Sequence, residues 1–171
     1  MSGEYFCDFG RLEEIVTAQF ACGEEAYHGP AHWHRVVQNG VWISRRSGAD
    51  ERVVRLFGWL HDSKRGNESS DPGHGRRGAE FAASLRGDVF DLPDDEFETL
   101  VFACTWHTDR DRSDDVTVGS CWDADRMDLG RVGIVPNSLF MSTAFGRAAA
   151  DAGSFYTLLS EEERREMVGG G

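Results

Sequence analysis

Apolar residues recur every three to four positions along almost the whole chain, and this spacing is typical of helices that bury one face. Strict alternation of apolar and polar residues is weak, and only VWIS at 41–44 suggests a short strand. The predicted helices cover about 10–22, 30–40, 51–61, 74–86, 94–107, 122–130 and 137–151, and the EEERREM tail forms a last helix. The predicted fold class is therefore all-α.

Residues at the helix ends support these boundaries. Pro30 follows Gly29 and suits the first position of a helix, which we expect to stop at Asn39-Gly40. Asp50 is a good N-cap for the next helix. The three acids at 94–96 fall in a first turn, where the helix dipole favours negative charge.

Length and charge limit the classes of function. The 171 residues suffice for about one domain, which we place at 1–171. The chain has 18 basic and 30 acidic residues, for a net charge of −12. A chain this acidic repels phosphate backbones and anionic lipids, so we expect no nucleic-acid coating and no membrane partner. An anionic substrate would need a local positive site, such as a metal.

Compartment and assembly are predicted from simpler signals. The N-terminus, MSGEYFCDFG, lacks the pattern of a signal peptide, and no stretch approaches 18 consecutive apolar residues. The four cysteines form no C-x-x-C pair, which is typical of reduced thiols in a cytoplasmic protein. The acidic tail is predicted to be a solvated helix face or an oligomer contact, so both a monomer and an oligomer stay open.

Several histidines fall on predicted inward faces. His61, followed by Asp62, continues the apolar stripe of the third helix, and His107 lies three residues after Cys104 on the fifth. His32 shares a face with Val36. A buried imidazole needs a partner, because an unpaired polar ring in an apolar core costs a few kcal/mol. Each histidine alone would suit a hydrogen-bonded core position, but together they favour a shared ligand cluster.

Asp125 belongs to the same pattern. It lies four residues before Leu129 and seven before Val132, so it too faces an apolar stripe. A buried carboxylate must be paired or bind a metal. Imidazoles and carboxylates together suit divalent Mn, Fe, Co, Ni or Zn, and the absence of paired thiolates argues against a structural zinc site. We interpret the neighbouring Asp123 as the cap of the short helix that follows.

The ordered set His32, His61-Asp62 and Asp125 resembles the HD-domain metal-dependent phosphohydrolase superfamily. The strings that carry the resemblance are HGPAHWHRV, FGWLHDSKR, DPGHGRRGA, ACTWHT and DADRMDLGR, which cover about 28–131. The chain looks like a small stand-alone bacterial member. The resemblance implies a compact HD-domain helical bundle.

The resemblance also implies the metal ligands. A first ion would be held by His32, His61, Asp62 and Asp125, and a second by Asp62, His74 and His107. His74 also suits a loop histidine in a glycine-rich turn, so a one-ion site stays open. The implied cofactor is one or two divalent ions among Mn, Fe, Co, Ni, Mg and Zn. His34, two residues from His32, points away and is predicted to be a surface residue.

The implied reaction is hydrolysis of a small phosphate ester or nucleotide by metal-activated water. The residues assigned to catalysis are Asp62, Lys64 and Arg65, and those assigned to substrate binding are His28, Arg76 and Arg77. His28 would contact substrate at the pocket rim or hydrogen-bond its own turn. Arg131, Ser142 and Thr143 would line the pocket or pack a late helix.

The sequence departs from the family pattern after the His-Asp pair. Several one-metal members have a carboxylate there, whereas this chain has Ser63, Lys64 and Arg65. Either no such base is needed, or Glu68 or Asp71 serves, or the chemistry differs. Two alternatives to a phosphohydrolase stay open. One is a mixed-valent di-iron oxygenase that uses the same ligands, and the other is a non-catalytic regulatory or ligand-binding module.

Overall fold

A computed structural model describes residues 5–169, so residues 1–4 and 170–171 of the predicted domain lie outside the described part. The eight helices in this range are α1 (Phe9–Ala18), α2 (Pro30–Ser47), α3 (Glu51–Leu60), α4 (His74–Leu85), α5 (Asp94–Trp106), α6 (Val116–Arg126), α7 (Ala144–Ala152) and α8 (Glu161–Gly169). Two short strands, β1 (Phe6–Cys7) and β2 (Phe90–Asp91), pair antiparallel with Phe6 opposite Asp91. The predicted all-α class is confirmed.

Helix α3 lies at the centre of the bundle. It contacts α1, α2, α4, α5 and α6, and Val53, Leu56, Phe57 and Leu60 on it are fully buried. Its N-cap is Asp50, as predicted, whose carboxylate accepts from the backbone N–H groups of Arg52 and Val53. Because every residue from Leu56 to Leu60 is buried, the C-terminal end of this helix places the residues that follow in the protein interior.

Helix α2 is longer than predicted, so the expected stop at Asn39-Gly40 and the short strand at 41–44 are both wrong. The helix continues to Ser47 and ends at Gly48, whose φ of 80° is left-handed. Gly40 lies in mid-helix because α3 approaches closely there: a Cβ on Gly40 would overlap the Val54 side chain. The packing of α2 on α3 therefore overrides the local turn signal.

Helix α6 begins at Val116, about six residues earlier than predicted, and Asp115 caps it. Asp123 is therefore inside this helix, and its expected role as a cap is wrong. Its buried carboxylate accepts from the backbone N–H groups of Ser142 (2.7 Å) and Thr143 (2.8 Å), and from the Thr143 hydroxyl. Ser142 and Thr143 thus hold the start of α7 against α6.

The acidic tail packs on α2. Glu163 and Glu166 of α8 pair with Arg46 and Arg45 at 2.6 Å and 3.0 Å. Within residues 5–169, no helix combines the length and the apolar character needed to cross a bilayer.

We predict that Gly78→Ala destabilises the fold, because α4 lies close to the end of α3. A Cβ on Gly78 would lie 2.5 Å from the Leu60 carbonyl oxygen and 3.1 Å from that of His61. Overpacking of this kind costs about 1–3 kcal/mol, which urea unfolding would measure.

Gly10→Ala is the matched control. The nearest atom to a Cβ there is Asp8 Oδ1 at 3.7 Å, so alanine should stabilise α1 by about 0.5 kcal/mol. A neutral Gly78→Ala would contradict the close approach of α4 to α3.

Candidate metal centre and its cleft

Six titratable side chains converge from five separate parts of the chain. They lie at helix ends: near the start of α2, at the two residues after α3, at the start of α4, at the residue after α5 and near the end of α6. In chain order they are His32, His61, Asp62, His74, His107 and Asp125. The first five of these residues are buried, and Asp125 is partly exposed. Helix ends suit such a site, because helical backbone fixes each side chain while the bundle core surrounds the cluster.

The ligand atoms of these residues lie close together. His32 Nε2 is 3.2 Å from His61 Nε2 and 3.3 Å from Asp125 Oδ1. On the other side, His74 Nε2 is 3.0 Å from His107 Nε2 and 3.0 Å from Asp62 Oδ1. Three overlapping sets could hold a metal ion: His32–His61–Asp62, His61–His107–Asp125 and Asp62–His74–His107.

Each of the four imidazoles is anchored through Nδ1 to a group that only accepts hydrogen bonds. The acceptors are the Asp128 carboxylate for His32 (2.7 Å), and the carbonyls of Phe57 for His61 (3.0 Å), Asp71 for His74 (2.7 Å) and Cys104 for His107 (2.7 Å). Each Nδ1 therefore carries a proton and donates it. In the neutral ring, the lone pair is then on Nε2, and all four Nε2 atoms face the centre.

This donor set fits a divalent cation. Two pairs of Nε2 atoms face each other at hydrogen-bond distance, although neither neutral ring has a proton to give. The buried Oδ1 of Asp62 lies beside His74 and has no hydrogen-bond partner. A cation would satisfy these lone pairs together, and imidazole with carboxylate suits transition metals.

The electrostatics of the cluster agree with this arrangement. Burial alone would raise the pKa of Asp62, but the neighbouring His61, His107 and His74 hold it well below its usual range. Burial alone would also raise the pKa of Asp125, but its contacts with His32 and His61 outweigh burial and hold that pKa well below its usual range. Burial lowers the pKa of His61, whereas at His32 and His107 the neighbouring carboxylates outweigh burial and raise the pKa. Both carboxylates are therefore charged, and a proton and a metal compete for the same imidazole nitrogens.

Comparison with known proteins gives one informative result. No protein-family model matches the chain, and no curated protein matches it. A crystal structure of a predicted HD superfamily hydrolase from an uncultured Thermotogales bacterium matches with a TM-score of 0.69 and 25% identity, over 96% of this chain and 94% of that chain. The resemblance to the HD superfamily is confirmed. The structural match extends beyond the motif segment at 28–131.

A cleft of about 300 Å³ opens above the cluster formed by these six side chains. Asp62, His74, His107 and Asp125 form part of its floor. Four arginines line it, namely Arg65, Arg110, Arg126 and Arg131. His28 lies at its rim, where the Glu68 carboxylate accepts from the His28 backbone N–H at 3.3 Å and lies 3.3 Å from Nδ1. Burial lowers the pKa of His28. The cleft therefore places positive charge over the cluster of an otherwise acidic chain.

Three cationic residues assigned from the sequence are directed elsewhere. The Lys64 ammonium lies over the Phe81 ring, 4.1 Å from its centroid. Arg77 donates twice to the Asp71 carboxylate at 2.7 Å. Arg76 has 68% of its side chain exposed and lies 3.3 Å from Glu80. Each has a local partner outside the cleft.

Arg65 and Arg131, by contrast, lie in the cleft. Arg65 is almost buried, donates to the Ser69 carbonyl at 3.3 Å, and has an Nε without a partner. Arg131 donates to the carbonyls of Tyr27 and Asp128.

Asp128, Arg110 and Arg126 were not predicted from the sequence as residues of this site. Asp128 orients His32 and also accepts from Arg35 Nε at 2.6 Å. The signal for it was present, because Asp128 follows Asp125 by three residues and so lies near it at the helix end. Arg110 gave no such signal, since it belongs to a charged loop whose path is set by tertiary contacts.

We predict that divalent transition metals stabilise this protein. At about 100 times the dissociation constant, binding to the folded state alone adds about 2.7 kcal/mol, or about 5–10 °C in Tm for a chain of this size. Calorimetry with and without Mn²⁺, Co²⁺ or Ni²⁺ would measure the shift, and a chelator should reverse it.

His107→Gln and His34→Gln form the matched pair. His107 lies in the cluster, so its replacement should reduce the metal-induced shift and the metal content. His34 has 56% of its side chain exposed and lies 3.0 Å from Glu13, so its replacement should change neither. An equal metal-induced change in Tm in the wild-type protein and both variants would rule out this cluster as the binding site.

Proposed function

We propose that this chain hydrolyses a small phosphate ester or nucleotide with the help of one or two divalent ions. One observation carries the proposal: four imidazoles, each locked through Nδ1, point Nε2 at two charged carboxylates beneath an arginine-lined cleft. The coarser conclusion, a hydrolase-like HD fold with a possible metal site, follows from the structural match. The phosphate-ester reaction is our extension of it.

The ligands divide into two sets that share Asp62. We assign the first ion to His32, His61, Asp62 and Asp125, and the second to Asp62, His74 and His107. The short distances from Asp62 Oδ2 to His61 (3.7 Å) and from Oδ1 to His74 (3.0 Å) support this sharing. Such ions, when bound, lower the pKa of a water ligand and polarise a phosphoryl oxygen.

The arginines of the cleft are suited to hold the phosphoryl group. Negative charge on its oxygens increases in the transition state, so fixed cations beside it lower the barrier. We assign this role first to Arg65, whose nearly buried guanidinium has hydrogen-bonding capacity left over, and then to Arg131. Arg76, Arg77 and Lys64 have partners of their own, which favours the two cleft arginines over them.

The carboxylates after the His-Asp pair are engaged. Glu68 is bonded to His28, and Asp71 accepts from Arg77 and from the Gly66 backbone N–H at 2.7 Å. These contacts argue against either residue as a free general base. His28, which Glu68 holds through its backbone N–H, lines the cleft, where it would contact the substrate.

We also propose that residues 1–171 form one domain and that the protein works in the cytoplasm. All four cysteines are free thiols, which suits a reducing compartment.

The decisive experiment is a panel of phosphomonoesters, phosphodiesters and nucleotides tested with Mn, Co, Ni, Mg and Fe. We expect metal-stimulated release of phosphate or of a nucleoside monophosphate. Asp62→Ala should abolish it with every metal, because both ion sites lose a ligand. Turnover that requires iron and dioxygen, without any phosphate release, would favour the oxygenase. A purified chain without metal, and without a metal-induced change in Tm, would favour the non-catalytic module.

A pair of arginine variants tests the cleft in the same assay. Arg65→Gln removes a charge-assisted contact that strengthens in the transition state, so it should reduce kcat/KM about 10- to 100-fold, mainly through kcat. Arg11→Gln is the control, since Arg11 pairs with Asp88 on the exposed surface. Equal activity of both variants would exclude Arg65 from phosphate binding.

A further inference from the structure

An apolar groove of about 360 Å³ adjoins the cleft. Its apolar lining consists of Leu129, Ile134, Val135, Phe140 and Met141. Ile134, Val135 and Phe140 are 52%, 78% and 46% exposed, although they are large and apolar. Adjacent exposed apolar side chains on a polar chain commonly mark a binding surface.

The groove and the cleft share a wall. Arg126 and Leu129 line both cavities. Arg126 also joins their outer walls, because its guanidinium donates to the Phe140 carbonyl on the groove side and to the Arg110 carbonyl on the cleft side. The two cavities therefore adjoin along Arg126 and Leu129, and a molecule with its anionic group over the six-residue cluster would reach the groove by passing Leu129.

Backbone hydrogen bonds hold the groove in shape. The Ile134 N–H donates to the Leu129 carbonyl at 3.2 Å, and the Phe140 N–H donates to the Asn137 carbonyl at 3.0 Å. Within the first of these turns, just before Ile134, Gly133 turns the chain with a φ of 77°. The apolar side chains are thus presented by a built segment, and their exposure is a property of the fold.

The groove has little to offer a polar ligand. Besides Arg126, whose hydrogen bonds are directed at carbonyl groups, Asn137 is the polar residue in its lining. Sugar hydroxyls placed there would lose hydrogen bonds to water without replacement, which disfavours a sugar phosphate. Its concave form suits a short chain or a ring better than a second copy of the protein, since stable dimers bury about 800 Å² per partner.

We infer that the substrate is an amphiphilic organophosphate, with the phosphate in the cleft and an apolar alkyl or aryl ester group in the groove. This inference rests on the proposed function and narrows its substrate class. In the reaction, the oxygen of water bonds to phosphorus and the bond from phosphorus to the ester oxygen breaks. The products are inorganic phosphate and the alcohol, which takes a proton.

Chain length is the variable that tests this inference. With propyl, pentyl and heptyl phosphate, kcat/KM should increase with length, by at most about fourfold per buried methylene. The matching alkylphosphonates, which cannot be hydrolysed, should bind more tightly in the same order by calorimetry. This second readout does not depend on turnover.

Two variants test whether the groove causes the dependence of kcat/KM on chain length. Ile134→Asp should reduce the ratio of heptyl to propyl kcat/KM at least tenfold. Val116→Asp places the same charge at an exposed apolar residue at the opposite end of α6 from Asp125, and it should leave the ratio unchanged.

The outcomes separate the inference from the proposed function. Equal rates for all chain lengths, or an unchanged ratio in Ile134→Asp, would overturn the inference while phosphate release still supported the function. Phosphonate binding that strengthens with length, without hydrolysis of any ester, would support the groove and overturn the function. A dimer in sedimentation that Ile134→Asp dissociates would overturn the inference, because the groove would then be an interface between copies.

Discussion

The site depends on one repeated interaction, the hydrogen bond that each buried imidazole donates through Nδ1. Three of the acceptors are backbone carbonyls and the fourth is the Asp128 carboxylate. Because carbonyls of the fold fix the rings, the ligand geometry is a consequence of helix packing. Lone pairs on neighbouring Nε2 atoms repel one another. Their convergence is therefore stable only where a cation or a proton lies between them.

The fold is arranged to hold these rings. Helix α3 is buried nearly all round, so the His-Asp pair at its end enters the interior, and Gly78 lets α4 approach that end closely. Asp123 holds the start of α7 against α6, and Asp125 and Asp128 follow it directly in the chain. Packing and chemistry therefore depend on the same contacts.

Much of this was predictable from the sequence, and the differences have physical causes. His32, His61, His107 and Asp125 were candidates because polar residues on apolar faces need partners, and Asp62 and His74 were implied by the family resemblance. The structure brings all six together. The helix end predicted at Gly40 was wrong, because the sequence around a glycine needed for close packing looks the same as the sequence around a glycine in a turn. Arg76, Arg77 and Lys64 were assigned from their position next to ligands, but sequence proximity does not show which way a long side chain points. Arg110 and Arg126 reach the cleft through tertiary contacts that no local pattern encodes.

Anomalous scattering from a crystal soaked in Mn²⁺ would show whether the cluster binds a cation. We expect one or two strong peaks at coordination distance from the Nε2 atoms of the cluster histidines, with Asp62 bound to each ion present. A protein that takes up no metal, with protonated Nε2 atoms bonded to Asp62 and Asp125, would contradict it. So would manganese bound only at the acidic surface.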